Sequence, residues 1–123
     1  MLTNENLLDE ALNKLPSFNS KYHELIAKDE IDNNSGNHIV FNYAFVPLLE
    51  EYITNKNIEG MNLFLGFLEE MASSDDYEVN EVCDYSILEQ LHDDIPDIKL
   101  FPLLGEKSKE GFLAIRQYTE ATN

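Results

Sequence analysis

The stretch that decides the fold runs from residue 58 to residue 92 and reads IEGMNLFLGFLEEMASSDDYEVNEVCDYSILEQLH. In its first half, apolar residues recur every three or four positions, which predicts a helix from about 58 to 71. Its apolar side chains form two stripes, one of Ile58, Met61, Phe64, Leu65, Leu68 and Met71 and the other of Leu63 and Phe67. A helix that is apolar on two sides is expected at the centre of a domain.

The second half of the stretch predicts another helix, from about 75 to 92. The link Ser73-Ser74-Asp75-Asp76 is a helix-start signal, because hydroxyls and carboxylates accept hydrogen bonds from the free N–H groups of a first turn. Helical phase places Val79, Val82, Cys83, Ser86 and Ile87 on the inward face, and Tyr77, Glu78, Glu81, Tyr85 and Leu88 on the outward face. Two helices with so short a link are expected to form an antiparallel hairpin.

The amino-terminal half of the chain has the same helical spacing. Its apolar residues predict a first helix from about 4 to 14, which Pro16 should end. A second, shorter helix is predicted from an N-cap at Ser20 to about Ile31. A third helix is predicted over 39–53, with its large apolar residues on one face.

Pro47 is expected either to kink this third helix or to open its second part. The segment from 98 to 104 is ambiguous, and a last helix is predicted from about 107 to 118. Apolar and polar residues show no sustained alternation, apart from a weak pattern at 38–45. The predicted fold class is therefore all-α, with residues 1–123 as a single domain of antiparallel helical hairpins, stacked as a short HEAT-like repeat or packed as a compact bundle.

The composition argues against several kinds of partner. The chain has 24 acidic and 8 basic residues, a formal net charge of -16, and an apolar fraction of 43% that is normal for a globular protein. Such a charge repels nucleic-acid phosphates and anionic lipid headgroups, so we expect neither nucleic acid nor a membrane as a direct partner. The sequence has no basic leader and no apolar run of about 20 residues, so a cytoplasmic protein is expected.

The most unusual feature is a stretch without basic residues between Lys56 and Lys99, in which acids are frequent. Like charges three or four residues apart each cost an isolated helix about 0.2 to 0.5 kcal/mol, so a cationic partner would explain why they are kept. A solvated face that serves solubility is the alternative. Aromatic residues among the acids favour a partner, because they anchor protein interfaces. The residues predicted to bind it are Glu69, Glu70, Asp75, Asp76, Tyr77, Glu78, Glu81, Asp84, Tyr85 and Glu89.

No pattern in the sequence predicts catalysis. Carboxylate pairs arise by chance in so acidic a chain, and no nucleophile or oxyanion motif accompanies them. His23, His38 and His92 have no metal-ligand spacing, and the lone Cys83 allows neither an internal disulfide nor a zinc site of several thiolates. We therefore predict a protein that is not an enzyme and has no catalytic residues, no metal and no cofactor.

Part of the hairpin resembles a known class of proteins. The residues that carry the resemblance are Phe67-Leu68-Glu69-Glu70-Met71-Ala72-Ser73-Ser74-Asp75-Asp76, Val79, Val82 and Ser86-Ile87-Leu88-Glu89-Gln90-Leu91. They resemble small acidic bacterial proteins with immunity functions in toxin-antitoxin arsenals, including contact-dependent inhibition. The resemblance covers about a quarter of the chain. It implies a cytoplasmic protein that neutralises a cognate toxin, often a nuclease, by capping its active or substrate-binding surface.

Charge pattern and resemblance together predict an immunity or inhibitor protein that binds a basic toxin domain through its acidic face. A helical-repeat adaptor in a cytoplasmic complex, acidic only for solvation, is the alternative from another class. An enzyme is a more distant alternative, which a deep pocket lined by convergent polar groups would indicate.

Overall fold

Helices make up most of the chain in the computed structural model, which describes the backbone of residues 1–122 and the side chains of residues 1–117. No strand occurs in this range, so the all-α prediction is confirmed. The frayed end expected after Glu120 lies outside the described side chains. Numbered along the chain, the helices are α1 (Leu7–Lys14), α2 (Pro16–Ala27), α3 (37–54), α4 (Ile58–Ala72), α5 (77–94), α6 (97–103) and α7 (Glu106–Thr122).

α3 and α5 each change from α-helical to π-helical geometry along their length. The π-helical segments are Phe41–Phe45 in α3 and Val82–Leu88 in α5. In α3 the N–H of Val46 donates to the carbonyl of Phe41, five residues earlier, just before Pro47. The wider turn leaves room for the proline ring, so the helix continues past Pro47. Of the two predicted alternatives, Pro47 therefore opens the second part of the helix, which follows the π-helical turn.

α3 and α4 are antiparallel neighbours. Tyr52 of α3 packs against Phe64 of α4, with ring centroids 5.3 Å apart. Phe41, earlier in α3, packs against Phe67, later in α4, at 6.5 Å. The contacts therefore advance in opposite directions along the two helices.

α4 and α5 form the predicted antiparallel hairpin. Near the link, the Asn80 side chain donates a hydrogen bond to the Met71 carbonyl at 3.0 Å. Farther from the link, the Cys83 thiol lies 3.8 Å from the Leu68 carbonyl. Leu68 and Cys83 are fully buried, as their helical phases predicted.

α3 and α5 lie side by side and run parallel. Asn42 donates to the Ser86 carbonyl at 3.1 Å, and Glu50, later in α3, is hydrogen-bonded to Asp94, later in α5. α7 packs against both α4 and α5, and α2 packs against α3. α1 packs against α2. These contacts fit the prediction of stacked helical pairs or a compact bundle.

Five phenylalanines form the centre of the core, and they come from α2, α3 and α4. Ring centroids of neighbouring pairs lie between 4.8 and 6.5 Å apart, the range in which aromatic rings attract each other. All five rings are buried. They are Phe18, Phe41, Phe45, Phe64 and Phe67. Because α4 supplies two of them and also packs against α5 and α7, its predicted central position is confirmed.

The boundaries of α2 differ from the prediction. Pro16 ends α1 but also begins α2, because a first helical position needs no N–H donor and suits the fixed φ of proline. Ser20 therefore lies inside α2, and the predicted N-cap there is wrong. The helix ends at Ala27, so the predicted end near Ile31 is also wrong, although Ile31 is buried.

Two apolar residues of the hairpin face the opposite way from the prediction. Leu88, predicted to point outward, is fully buried, because α7 covers this side of α5 near Gly111. Ile58, predicted on the inward stripe, is 62% exposed in the first turn of α4. The ambiguous segment 98–104 contributes to α6, which is one α-helical turn followed by a 3-10 turn.

Two glycines of α4 test this packing. A Cβ at Gly60 would lie 2.6 Å from the ring of Tyr52, whose hydroxyl is held by Ser17 at 2.7 Å, whereas a Cβ at Gly66 would meet nothing within 4 Å. We expect Gly60→Ala to lower the free energy of unfolding by about 1 to 3 kcal/mol. Gly66→Ala should raise it by about 0.5 to 1 kcal/mol. Urea unfolding followed by circular dichroism measures both, and equal effects would contradict the described α3–α4 contact.

Candidate partner-binding surface

The line along which α3 and α5 touch divides each helix into an inner and an outer side. His38 Nδ1 and Ser86 Oγ lie 2.6 Å apart on this line, beside the Asn42–Ser86 hydrogen bond. On the inner side, side chains such as Phe41 and Cys83 enter the core. On the outer side, helical phase brings the exposed residues of both helices next to each other.

These outer residues form one surface, named here the α3–α5 face. Its members are Ile39 and Tyr43 of α3 and the exposed Glu78, Tyr85 and Glu89 of α5, together with Glu81, which was predicted to point outward but is half-buried. Ile39, Tyr43 and Tyr85 are 45%, 50% and 54% exposed. Three large side chains with apolar surface thus stand in water on two adjoining helices, which is the kind of grouping that marks interaction sites.

The α3–α5 face is electrostatically negative. Neither α3 nor α5 contains a Lys or an Arg. Among the described residues, Glu78, Glu81 and Glu89 form no ion pair. A cationic group that reaches this face therefore meets carboxylates that no basic side chain neutralises, next to aromatic rings.

The structure divides the residues predicted to bind a partner among several places. Those in the α3–α5 face are Glu78, Glu81, Tyr85 and Glu89. Tyr77, which is 71% exposed, and the exposed Asp75 lie beside this face, at the start of α5. Glu70 is exposed on α4, where it pairs with Lys14 at 3.4 Å.

Ile39 and Tyr43 were not among the predicted binding residues. Both lie off the apolar stripe that contains Phe41 and Phe45, so their spacing of four residues on a separate face was an available signal. A second signal was the absence of Lys and Arg from residues 29–55. What the sequence did not supply was the placement of this part of α3 beside α5.

Glu69 lies outside the α3–α5 face and caps α7 from α4. Its carboxylate accepts hydrogen bonds from the Lys107 N–H (2.7 Å), the Ser108 N–H (2.9 Å) and the Ser108 hydroxyl (2.8 Å). Partial burial would raise the pKa of Glu69, but these hydrogen bonds and the Lys107 charge hold it below the usual value of 4.5. The close approach requires Gly105, where a Cβ would lie 2.5 Å from Glu69 Oε1.

Asp76 and Asp84 also have positions set by the fold. Asp76 accepts hydrogen bonds from the Glu78 N–H at 3.0 Å, as the predicted helix-start signal requires, and from the Asn4 N–H at 2.7 Å. Asp84 is half-buried between α5 and α7, where a Cβ on Gly111 would lie 2.5 Å from its Oδ1. Burial raises the pKa of Asp84 above its ordinary value. Both carboxyl groups therefore interact with other residues of the domain.

The α3–α5 contact ends at a pair of carboxyl groups. The carboxyl group of Glu50 lies beside that of Asp94, and Gln90 donates to Asp94 at 3.1 Å. Burial, a hydrogen bond with Asp94 and the charge of Asp94 raise the pKa of Glu50 to about 7. Glu50 therefore loses its proton near neutral pH, far above the range in which an ordinary glutamate does so.

The remaining titratable groups do not converge. Within residues 1–117, no three His, Cys, Asp or Glu side chains are arranged to hold a metal ion. His92 Nδ1 lies 3.0 Å from Asp97 Oδ1, and its ring packs edge-on against Phe112. Burial, together with the charges of Asp84 and Glu69, raises the pKa of the Cys83 thiol, which is the state of an unreactive core cysteine.

A family model described as a domain of unknown function, DUF7674, matches residues 8–120. The chain belongs to the DUF7674 family. The match extends from α1 into α7, so the α3–α5 face and the Glu69 cap both lie within the DUF7674 domain. No curated protein and no solved structure matches the chain, and the resemblance to toxin-immunity proteins stays a prediction. None of the helices in the described range is long and apolar enough to cross a membrane.

The Glu69 cap predicts a pH-dependent loss of stability. Glu69→Ala should lower the free energy of unfolding by about 1 to 3 kcal/mol at pH 7, because it leaves the buried Ser108 without its acceptor. The pKa of Glu69 is depressed in the folded protein, so this contribution is present above the unfolded value of 4.5 and disappears as the pH falls through the folded pKa.

Glu70→Ala is the matched control, since it removes an exposed carboxylate next to Glu69 and should cost at most about 1 kcal/mol. Denaturant unfolding at pH 7 and at acidic pH compares the two variants with the parent domain. An effect of Glu69→Ala that equals the effect of Glu70→Ala, or one that does not change with pH, would contradict the cap.

The Glu50–Asp94 pair predicts the opposite pH dependence. The pKa of Glu50 is raised in the folded state, so its contribution is full below the unfolded value of 4.5 and is lost as the pH rises through about 7. Glu50→Gln keeps a hydrogen-bond donor at this position but removes the titratable carboxyl group. Between about pH 5 and pH 8, roughly the span of the titration, the variant should therefore lose less stability than the parent. Glu51→Gln, at an exposed neighbour, should behave like the parent. Identical pH profiles for all three proteins would show that the pKa of Glu50 is not raised.

Proposed function

We propose that this DUF7674 domain is a cytoplasmic immunity or inhibitor protein that binds a basic protein domain, such as a toxin nuclease, through the α3–α5 face. The observation that carries the proposal is the coincidence of exposed aromatic side chains and unpaired carboxylates on two adjoining helices that contain no basic residue. The resemblance of residues 67–91 to immunity proteins supports the same function.

Charge and aromatic residues have separate tasks in this proposal. A net charge of -16 attracts a cationic partner over distances up to the screening length of about 8 Å at physiological ionic strength, which speeds encounter. Tyr43 and Tyr85 then provide the large, rigid contact area that holds a complex together. Ile39, in the first turn of α3, adds exposed apolar surface.

The same face explains how such a protein would inhibit. Enzymes that act on nucleic acids bind the phosphates through clustered Lys and Arg side chains. A surface rich in carboxylates is attracted to those same side chains, and a helical domain seated on them blocks access of the substrate. The exposure of Glu78 and Glu89 supports this contact, whereas Glu69 accepts hydrogen bonds from Ser108 and Asp84 is half-buried against α7.

The proposal is tested by the binding kinetics of a partner captured from the source cell and identified by mass spectrometry. Glu78→Lys combined with Glu89→Lys should slow association about tenfold at low ionic strength, and the difference should vanish at high salt. Tyr43→Ala and Tyr85→Ala should each leave the association rate nearly unchanged and speed dissociation about tenfold.

Each set of variants has a control. Asp9→Lys combined with Glu30→Lys makes the same change in net charge at exposed sites on α1 and after α2, and it should slow association much less. Ile98→Ala truncates an exposed apolar residue on α6 and should not change dissociation. If the control variants and the α3–α5 variants behave alike, or if the partner's binding surface is not basic, the proposed function is wrong.

A further inference from the structure

Almost every basic side chain of this acidic domain has a partner within the domain. Lys14, Lys21, Lys28, Lys107 and Arg116 form ion pairs with carboxylates. Lys109 lies over the ring of Phe101, 5.2 Å from its centroid. Within the described side chains, two cations remain that have neither an ion pair nor a ring contact, Lys56 and Lys99. In a chain with 24 acids, two unpaired lysines are unexpected.

Both lysines line the same concavity. It has a volume of about 630 Å³ and lies where the ends of α3 and α5 meet the starts of α4 and α6. Apart from the lysines, most of its lining is aliphatic, and it includes Ile53, Ile58, Met61, Ile95 and Leu103. This size and this mixture of an apolar wall with a few charged groups are typical of sites for small molecules.

Neither lysine side chain has a task in the fold. Lys56 follows α3 with a left-handed backbone, φ 56°, and its N–H donates to the Ile53 carbonyl, while the next N–H, of Asn57, donates to Tyr52. This helix ending needs only the backbone and favours glycine. The side chains of Lys56 and Lys99 are both exposed, and Lys99 lies in the first turn of α6.

We propose that this concavity binds a small amphiphile with an aliphatic body and a single carboxylate, the body against Ile58 and Met61 and the carboxylate between Lys56 and Lys99. Two ammonium groups that form no ion pair with the described residues attract an anion into a domain that elsewhere repels one. Asp94 also lines the concavity, so a singly charged head is accommodated more easily than a doubly charged phosphate. The site is independent of the α3–α5 face.

Octanoate, octanol and octylamine are suitable probes, because they share one aliphatic body and differ in head-group charge. With the full chain in low-salt buffer near pH 7, titration followed by amide NMR spectra should show saturable binding of octanoate, with shifts centred on residues 53–61 and 94–103. Octanol should bind about fivefold more weakly, and octylamine more weakly still. Lys56→Ala and Lys99→Ala should each weaken octanoate about two- to fivefold without weakening octanol.

Two further variants complete the test. Lys21→Ala removes a lysine of α2 that is distant from the concavity in sequence and pairs with Glu24, and it should bind octanoate like the parent. Ile58→Ser changes an exposed wall residue and should weaken octanoate and octanol alike. The proposal is overturned if octanoate does not saturate by about 10 mM, if octanol binds as tightly as octanoate, or if the two concavity lysines can be replaced without effect. Spectra of each variant also report whether it is folded.

Discussion

The packing of Phe41 and Phe45 against α4 sets the rotation of α3 about its own axis. This rotation determines which side chains of α3 are exposed and so contribute to the α3–α5 face. Both rings are fully buried and contact Phe67, and Phe45 also contacts Phe64. Burial of aromatic rings is among the largest stabilising contributions available to a small domain, so a rotation that exposed them would be strongly unfavourable. With these two rings turned inward, the side chains of the opposite arc of α3 must face water.

The acidic residues of the domain occupy three different environments. Glu69 accepts hydrogen bonds at the start of α7, Glu50 lies beside Asp94, and residues such as Glu89 stand unpaired in water. The first two environments belong to the fold, because they join helices that are distant in sequence. The net charge therefore combines structural carboxylates with exposed ones, and only the exposed ones are available to a partner.

α3 and α5 contribute to both of the proposed binding surfaces. The negative α3–α5 face extends along both helices, from Ile39 to Tyr43 in α3 and from Glu78 to Glu89 in α5, and the carboxyl-terminal ends of the helices border the concavity with its two lysines. The parallel arrangement of the two helices makes this possible, since like ends lie together. Within the described part of the chain, neither of the two lysines forms an ion pair with a carboxylate of the face.

The sequence by itself determined the helical class, the hairpin of α4 and α5 and the burial of Leu68 and Cys83, because spacing and capping signals act between residues close in the chain. A local signal was insufficient at Pro16, since proline both ends one helix and suits the start of the next.

Only the tertiary structure decided which helices meet. The burial of Leu88 depends on α7, the role of Glu69 depends on Ser108, and the grouping of Ile39 and Tyr43 with Tyr85 depends on the contact between α3 and α5. The physical reason is that a helix's own periodicity shows which side is apolar, whereas its neighbours are selected by the packing of the whole core.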